Sequence, residues 1–296
     1  MNWSGPPALP RSAVPAVPPV PRRPTRSPVV GVVGSGGRMY GLVRSLRAIE
    51  HAAKQARWTL AVSAADRPRT VWADALSEWS SLDLRAVVVL GRKLPPSLDR
   101  LSEDLPGLPV VLAGGNESAS VPFVAVDQVA GARRATEHLL SQGSCTVWHV
   151  GGPEGWPESR DRERGWREAL ERAGAWQPPV IRGDWTPRSG YEAGELLLNE
   201  HGIDAIFVAN DRMALGLCRA FAEGGRPVPD DIRVVGFDDT SEAAYLTPSL
   251  TTVRHDFPEL GRQVIELVTA GGTGDGRVIT PELIVRGSTG AGLLQT

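Results

Sequence analysis

Residues 206–216, Ile-Phe-Val-Ala-Asn-Asp-Arg-Met-Ala-Leu-Gly, decide the fold that this sequence predicts. The apolar run from Ile206 to Val208 is typical of a strand buried on both faces, and a helical pattern follows it. Asn210 or Asp211 would cap that helix, and Gly224 would end it. Ligands of open α/β sheets bind beyond the carboxyl ends of the strands, so these two polar residues also stand where a ligand would be held. On this stretch alone, capping is the simpler interpretation.

The same alternation of apolar strands and amphipathic helices extends on both sides of this stretch, from Val29 onwards. The predicted strands are residues 29–33, 59–62, 85–90, 109–112, 123–126, 146–150, 180–181, 205–208 and 233–237. Predicted helices between them include residues 44–56, 129–140, 164–173 and 191–199. The alternation indicates parallel sheets covered by helices, with too many strands for one small sheet. We therefore predict an α/β fold of two doubly wound parallel-sheet subdomains with a cleft between them.

The predicted subdomains follow a proline-rich tail. Residues 1–28 contain nine prolines and four arginines without any acidic residue, a composition that favours an extended, disordered segment. A basic tail can touch nucleic-acid phosphates, but a solvated linker is the simpler interpretation. The first subdomain is predicted to comprise residues 29–139 and 256–277, and the second residues 140–255 and 278–296.

Composition restricts the possible classes of function. A net charge of −2 over 296 residues gives no overall attraction to nucleic acid. The sequence has no run of about 18 apolar residues and no secretory signal, so we expect a cytoplasmic protein without a membrane span. Two cysteines and five histidines show no disulfide or metal-binding spacing, and no cofactor is predicted. The glycine-rich residues 34–39 match neither a dinucleotide fingerprint nor a phosphate loop.

Polar residues follow several of the predicted strands, which indicates a lined site rather than a set of separate helix caps. Asp127, Asn210 and Asp238 each stand at such a strand end. Carboxylates, amides and arginine suit the neighbouring hydroxyls of a neutral sugar, and an aromatic face packs on the C–H face of its ring. Trp185, in the polar loop 183–187, is the best aromatic candidate. The alternative is a hydrolase that uses Asp127 and Asp238 as a carboxylate pair.

Four segments together resemble the effector-binding core of the lac-repressor (LacI) family. They are Val126-Asp127 and residues 205–216, 234–239 and 246–253, in the same order as in the family. The resemblance extends from about Val29 to Gly290. It implies a fold like that of periplasmic sugar-binding proteins, with two subdomains joined by three chain crossings and the effector between them. The implied function is sugar-responsive transcriptional regulation, without enzymatic activity.

The resemblance also implies which side chains bind the effector. Asp127 matches the family's acidic residue after the last strand of the first subdomain. Arg162 matches the arginine of the Arg-x-x-Gly-aromatic motif. Asn210 and Asp238 match the first residues of the family's Asn-Asp and Asp-Asp pairs. Trp185 matches an aromatic position that packs against galactosides in some members.

Two departures from the family pattern affect these expectations. His255 stands where several members place a glutamine beside the ligand, which leaves the identity of the sugar open. No helix-turn-helix pattern precedes Val29, so we expect operator binding only if a headpiece lies upstream. The implied partners are a small-molecule sugar and a second copy of the chain, bound through helix 44–56. The alternative is a stand-alone solute-binding protein, which would need export.

Overall fold

The computed structural model describes residues 27–35, 40–65, 75, 77–91, 107–114 and 121–290. These residues form two lobes, each built on a six-stranded sheet. The predicted α/β fold with two doubly wound subdomains is confirmed. The predicted tail falls almost entirely on residues 1–26, outside the described residues, as do residues 36–39 of the glycine-rich segment.

The first lobe contains a wholly parallel sheet. Its strands are β1 (Val29–Ser35), β2 (Thr59–Ala65), β3 (Leu84–Leu90), β4 (Val110–Ala113), β5 (Phe123–Val126) and β11 (Arg277–Ile279), in the order β2-β1-β3-β4-β5-β11. Helices α1 (Tyr40–Gln55) and α6 (Phe257–Thr269) cover one face and share a core with the sheet. Gly261 lets the helices approach closely, because a Cβ there would lie 2.9 Å from the backbone nitrogen of Ile49.

The second lobe contains a sheet with one antiparallel edge. Its strands are β6 (Trp148–Gly151), β7 (Ile181–Arg182), β8 (Ala205–Val208), β9 (Arg233–Phe237), β10 (Thr251–Arg254) and β12 (Glu282–Ile284), in the order β7-β6-β8-β9-β10-β12. The β10–β12 pair is antiparallel, and the other pairs are parallel. Helices α2 (Gln128–Ser141) and α3 (Pro157–Ala173) cover one face, whereas α4 (Pro187–Leu198) and α5 (Asp211–Glu223) cover the other.

Residues 206–216 form the end of β8 and the start of α5, as predicted. All four residues of β8 are buried, as expected for a strand covered on both faces. Asn210 caps α5 by accepting a hydrogen bond from the backbone N–H of Met213 at 2.9 Å. Gly216 of α5 packs directly on α4. A Cβ at Gly216 would lie 2.7 Å from the backbone nitrogen of Tyr191 and closer still to the carbonyl oxygen of Pro187.

Helix α2 lies in the second lobe, whereas it was predicted in the first. The predicted boundary at residue 139 assigns this helix to the first subdomain, but Ala135 and Leu139 pack against Trp166 and Phe237 in the second lobe. The first chain crossing therefore lies before the helix. An amphipathic pattern shows that a helix has a buried face without showing which sheet covers it. The third crossing follows β11, two residues beyond the predicted boundary at 277.

Candidate functional site

A cavity of about 130 Å³ lies between the lobes, at the carboxyl ends of strands from both sheets. Open α/β sheets bind their ligands at this position. Five of the six residues that the sequence predicts for the site line this one cavity: Arg162, Trp185, Asn210, Asp238 and His255. They come from the loops and helices that follow β6, β7, β8, β9 and β10.

Arg162 of α3 organises the second-lobe side of the cavity. Its side chain is only 7% exposed. Nε donates to the side-chain oxygen of Gln128 at 2.9 Å, one terminal nitrogen donates to the carbonyl oxygen of Ala209, and the other lies 3.3 Å from Asp238 Oδ1. The guanidinium carbon lies 3.8 Å from the ring centroid of Phe237. Burial lowers the pKa of this guanidinium, and the Asp238 carboxylate opposes that shift.

Asp238 and His255 form a buried pair beside Arg162. His255 Nε2 lies 3.3 Å from Asp238 Oδ1, and its ring stacks on Phe257 with a centroid separation of 5.1 Å. Burial lowers the pKa of His255, although Asp238 opposes that shift. Asp238 has a φ of 111°, which is strained for a residue with a side chain. Such strain persists only where surrounding contacts fix the residue, as Arg162 and His255 do here.

Asn210 caps helix α5 and also lines the cavity. Its Oδ1 caps α5 and its Nδ2 donates to the carbonyl oxygen of Trp185 at 3.2 Å, so the same side chain holds the tryptophan loop. Trp185 adopts a φ of 73°, and its ring meets Trp156 edge to face at 6.4 Å. The buried indole N–H of Trp185 finds no acceptor among the described residues. Gly152 makes room for the ring, since a Cβ there would overlap it.

Asp127 does not join this group. Its carboxylate accepts a hydrogen bond from the backbone N–H of Ala130 at 2.8 Å and caps α2, and it borders a separate cavity with Arg133. Gln128 occupies the neighbouring position in the main cavity. An aspartate directly before a helix is satisfied by its own N-cap, which a strand-end position alone does not reveal. The hydrolase alternative requires that the carboxylates of Asp127 and Asp238 face the same cavity. They border different cavities.

Sequence reasoning missed several cavity residues, among them Tyr40, Glu158 and Arg212. Tyr40 opens α1 in the first lobe, and its hydroxyl donates across the cleft to the carbonyl oxygen of Asp239 at 3.5 Å. Tyr40 directly follows the glycine-rich segment at the carboxyl end of the first strand. That position could have indicated that Tyr40 lines the cavity. No local pattern predicted its partner, which lies 199 residues away.

Replacing Tyr40 by phenylalanine is expected to shift the lobes towards an open arrangement. The change removes the cross-lobe hydrogen bond and keeps the ring that meets Phe257 edge to face. A single hydrogen bond contributes about 0.5–1.5 kcal/mol, which is enough to change the population of two arrangements severalfold. Small-angle X-ray scattering of the unliganded protein would detect the larger radius of gyration. Tyr191→Phe is the matched control, because its hydroxyl bonds to Glu223 within the second lobe. An identical scattering profile for Tyr40→Phe and the parent would contradict the prediction.

Asp211 is buried behind the cavity, where its carboxyl group contacts the loop after β9 and strand β10. Its Oδ1 accepts from the Thr252 hydroxyl at 2.6 Å, and its Oδ2 accepts from the backbone N–H of Thr240 at 2.7 Å. Burial, together with the nearby charge of Asp238, raises the pKa of Asp211 from 3.8 to about 8. Through these two hydrogen bonds the carboxyl group holds the loop after β9 in place.

The free energy of unfolding is expected to depend on pH through the titration of Asp211. Because its pKa is raised on folding, its stabilising contribution is complete below the unfolded pKa of 3.8 and is lost as the pH rises towards about 8. Asp211→Asn keeps the shape of the protonated acid and removes this titration. Urea unfolding of both proteins at about pH 5 and about pH 8 should show a larger loss of stability in the parent. Equal losses would contradict a raised pKa of Asp211 in the folded protein.

Comparison with known proteins places this geometry in a family. A periplasmic binding protein-like domain matches residues 136–289, just over half of the chain. The chain belongs to this family. Within it, the chain resembles repressors of the LacI type, in line with the sequence resemblance.

Sequence relatives align with about two thirds of this chain. The lactose operon repressor of Klebsiella pneumoniae is 31% identical over 196 residues, which cover 66% of this chain and 55% of the repressor. The regulator CelR of Thermobifida fusca is 34% identical over 188 residues, covering 62% of this chain and 54% of CelR. The chain thus spans about half the length of the curated relatives that it matches.

Solved structures share the two-lobed fold. A lac repressor dimer bound to operator and the anti-inducer ONPF superposes with a TM-score of 0.78 at 27% identity, over 89% of this chain and 94% of that chain. A complex of the regulator CelR with cellobiose gives a TM-score of 0.76 at 27% identity, over 91% of this chain and 86% of that chain. Among the described residues, no helix is long and apolar enough to cross a membrane, and no cluster of three potential ligands suits a metal ion.

Proposed function

We propose that the chain is the effector-binding and dimerisation core of a sugar-responsive transcriptional regulator. The observation that carries this proposal is the convergence of Arg162, Asp238, Asn210 and Trp185 on one cavity between two lobes. A carboxylate, an amide and a guanidinium match the donors and acceptors of neighbouring hydroxyls. Trp156 and Trp185, which both line the cavity, offer apolar surface for the C–H face of a sugar ring.

The relatives support the same ligand class and the same kind of output. CelR was solved with cellobiose, and the lac repressor was solved as a dimer on operator with ONPF. We propose Arg162, Trp185, Asn210, Asp238 and His255 as effector contacts, without a catalytic role for any of them. The proposed partners are a sugar, a second copy of this chain and, where a headpiece precedes the core, operator DNA. The proposed location is the cytoplasm.

The lobes provide the mechanism of response. An effector that binds both lobes favours one angle between them only through its differential affinity for the two arrangements. Three chain crossings join the lobes, and Tyr40 bridges them a fourth time through its hydrogen bond. In a dimer, that angle would set the spacing of two DNA-binding headpieces. We propose the exposed side of α1, with Glu50, His51 and Lys54, as part of the dimer face.

Asp238→Ala tests the site directly. Hydrogen bonds to a charged group contribute about 1.5–3 kcal/mol, so we expect about a 10- to 100-fold loss of sugar affinity. Isothermal titration calorimetry with cellobiose, lactose, galactose and ribose measures it. Asp231→Ala is the control, because Asp231 is exposed in the same lobe. Unchanged affinity in Asp238→Ala would remove the site assignment. Hydrolysis of a bound disaccharide would favour the enzyme interpretation instead.

A further inference from the structure

A second cavity, of about 290 Å³, lies where the chain first crosses between the lobes. The described residues that line it come from the ends of β4 and β5 and from β11 in the first lobe, and from α2 and α3 in the second. The cavity adjoins the main one, because Gln128 lines both. Asp127, which the main cavity does not include, belongs to this second cavity.

Two arginines of the second lobe line this cavity with donors to spare. Arg133 of α2 and Arg164 of α3 come together where the helices touch, since a Cβ at Gly165 would lie 3.0 Å from the backbone nitrogen of Arg133. Arg164 lies 3.4 Å from Asp161, and Arg133 lies 3.7 Å from Glu168, measured between nitrogen and oxygen atoms. These separations exceed those of ordinary hydrogen bonds. Both guanidiniums therefore retain donors for a ligand.

Carboxylates line the same cavity. Asp127 accepts the N–H of Ala130 through Oδ1 and so caps α2, while Oδ2 takes no hydrogen bond from the part of the chain that the structure describes. Asp161 also lines the cavity. A simple anion would be attracted by the arginines and repelled by the carboxylates, and a simple cation would meet the reverse. A small zwitterion suits both sets of charges at once.

Aliphatic side chains accompany these charges. Val126, Val129 and Val278 line the cavity, and an apolar side chain on the ligand would gain from burial against them. The volume lies just below the range of about 300–1,000 Å³ that is typical of pockets for drug-sized ligands. A small molecule with one aliphatic branch and two opposite charges fits this combination.

We propose that this cavity is a second ligand site, which takes an α-amino acid with an aliphatic side chain. The ligand carboxylate lies against the guanidiniums of Arg133 and Arg164, whose planar forks match its two oxygens. The ammonium group donates to Oδ2 of Asp127. The side chain packs on Val129 and Val278. This site is separate from the proposed sugar site and does not depend on it.

Three matched probes test the class of ligand. L-Leucine, 4-methylpentanoate and 3-methylbutylamine share one aliphatic chain, but the second lacks the ammonium group and the third lacks the carboxylate. In calorimetry with the wild-type chain, L-leucine is expected to bind about 10-fold more tightly than either of the others, because each of them loses charge-assisted hydrogen bonds. Equal affinity of either single-charge probe, or tighter binding of inorganic phosphate, would overturn the zwitterion. Absence of L-leucine binding would overturn the site, whereas the sugar titrations test the proposed function separately.

Two substitutions locate the amino acid. Arg164→Gln and Asp127→Asn should each weaken L-leucine binding about fivefold or more. Asparagine also caps helices, so Asp127→Asn removes the charge and keeps the cap. Neither residue lines the main cavity, so these losses would belong to the second one. Unchanged affinity in either variant would overturn the placement.

Each variant has a matched control. Asp256 caps α6 by accepting the N–H of Glu259 at 2.9 Å, so Asp256→Asn repeats the same change at another helix. Arg219 is 70% exposed on α5, so Arg219→Gln removes an arginine elsewhere in the second lobe. Neither control residue lines the second cavity, and L-leucine affinity should hold in both. A loss in the controls as large as in the site variants would overturn the assignment.

Discussion

Arg162→Ala is expected to abolish effector binding and to lower the free energy of unfolding by about 3–5 kcal/mol. The guanidinium is buried, pairs with Asp238 and lies over the ring of Phe237. Its removal leaves the Asp238 carboxylate buried without its cation, and it frees the side chain of Gln128 at the first chain crossing. Both the proposed ligand contacts and the packing behind them would therefore be lost in one substitution.

Urea unfolding and calorimetry together separate these two effects. Arg188→Ala is the control, because Arg188 forms an exposed pair with Glu192 and little change in stability is expected there. The double variant Arg162→Ala with Asp238→Asn should recover part of the lost stability, since it removes the unpaired charge. It should not recover sugar binding. Stability equal to the parent in Arg162→Ala would contradict the assignment of a buried, coupled pair.

Gly216→Ala is expected to destabilise the second lobe by about 3 kcal/mol or more. A new Cβ would lie inside the contact distance of backbone atoms of α4, at 2.8 Å from the Pro187 carbonyl carbon and nearer to its oxygen. Backbone atoms cannot rotate away as a side chain can, so the two helices would have to separate. That movement would open the core beneath Met213 and Leu217.

The measurement for Gly216→Ala is the midpoint and slope of urea unfolding. Gly41→Ala is a matched control, because Gly41 is also helical and a Cβ there meets nothing within 4 Å. Alanine favours helices over glycine by up to about 1 kcal/mol, so the control should be neutral or stabilising. Similar behaviour of the two variants would show that the close packing of α4 and α5 is not required.

The strands and their alternation with helices were predictable because apolar runs bounded by polar residues carry the signal locally. Residues 123–126, 205–208 and 233–237 are strands in the structure with the predicted bounds. The residues that gather at the cavity were also accessible, since parallel strands bring their carboxyl ends to one edge. Arg162 and His255 depended on the family resemblance, because neither directly follows a predicted strand, whereas Trp185 stood out as the aromatic residue of a polar loop.

The remaining features depend on tertiary contacts that no local pattern encodes. Asp127 and Asn210 both follow a strand and both cap a helix, yet only Asn210 lines the main cavity. The difference arises from the lobe crossing that intervenes at Asp127. The apolar stripe of α2 similarly fits either sheet. The bridge from Tyr40 to Asp239 joins distant parts of the chain, so only the folded structure reveals it.

The late return of the chain to the first lobe has a consequence for biosynthesis. Leu260, Val264 and Ile279 complete the core of a lobe whose other strands are made more than a hundred residues earlier. On the ribosome, the first lobe therefore waits unfinished while most of the second lobe, from Gln128 onwards, emerges as a nearly continuous unit. We expect the lobe encoded second to acquire protease resistance first. Nascent chains released before residue 257 would then expose the apolar side of α1 to chaperones.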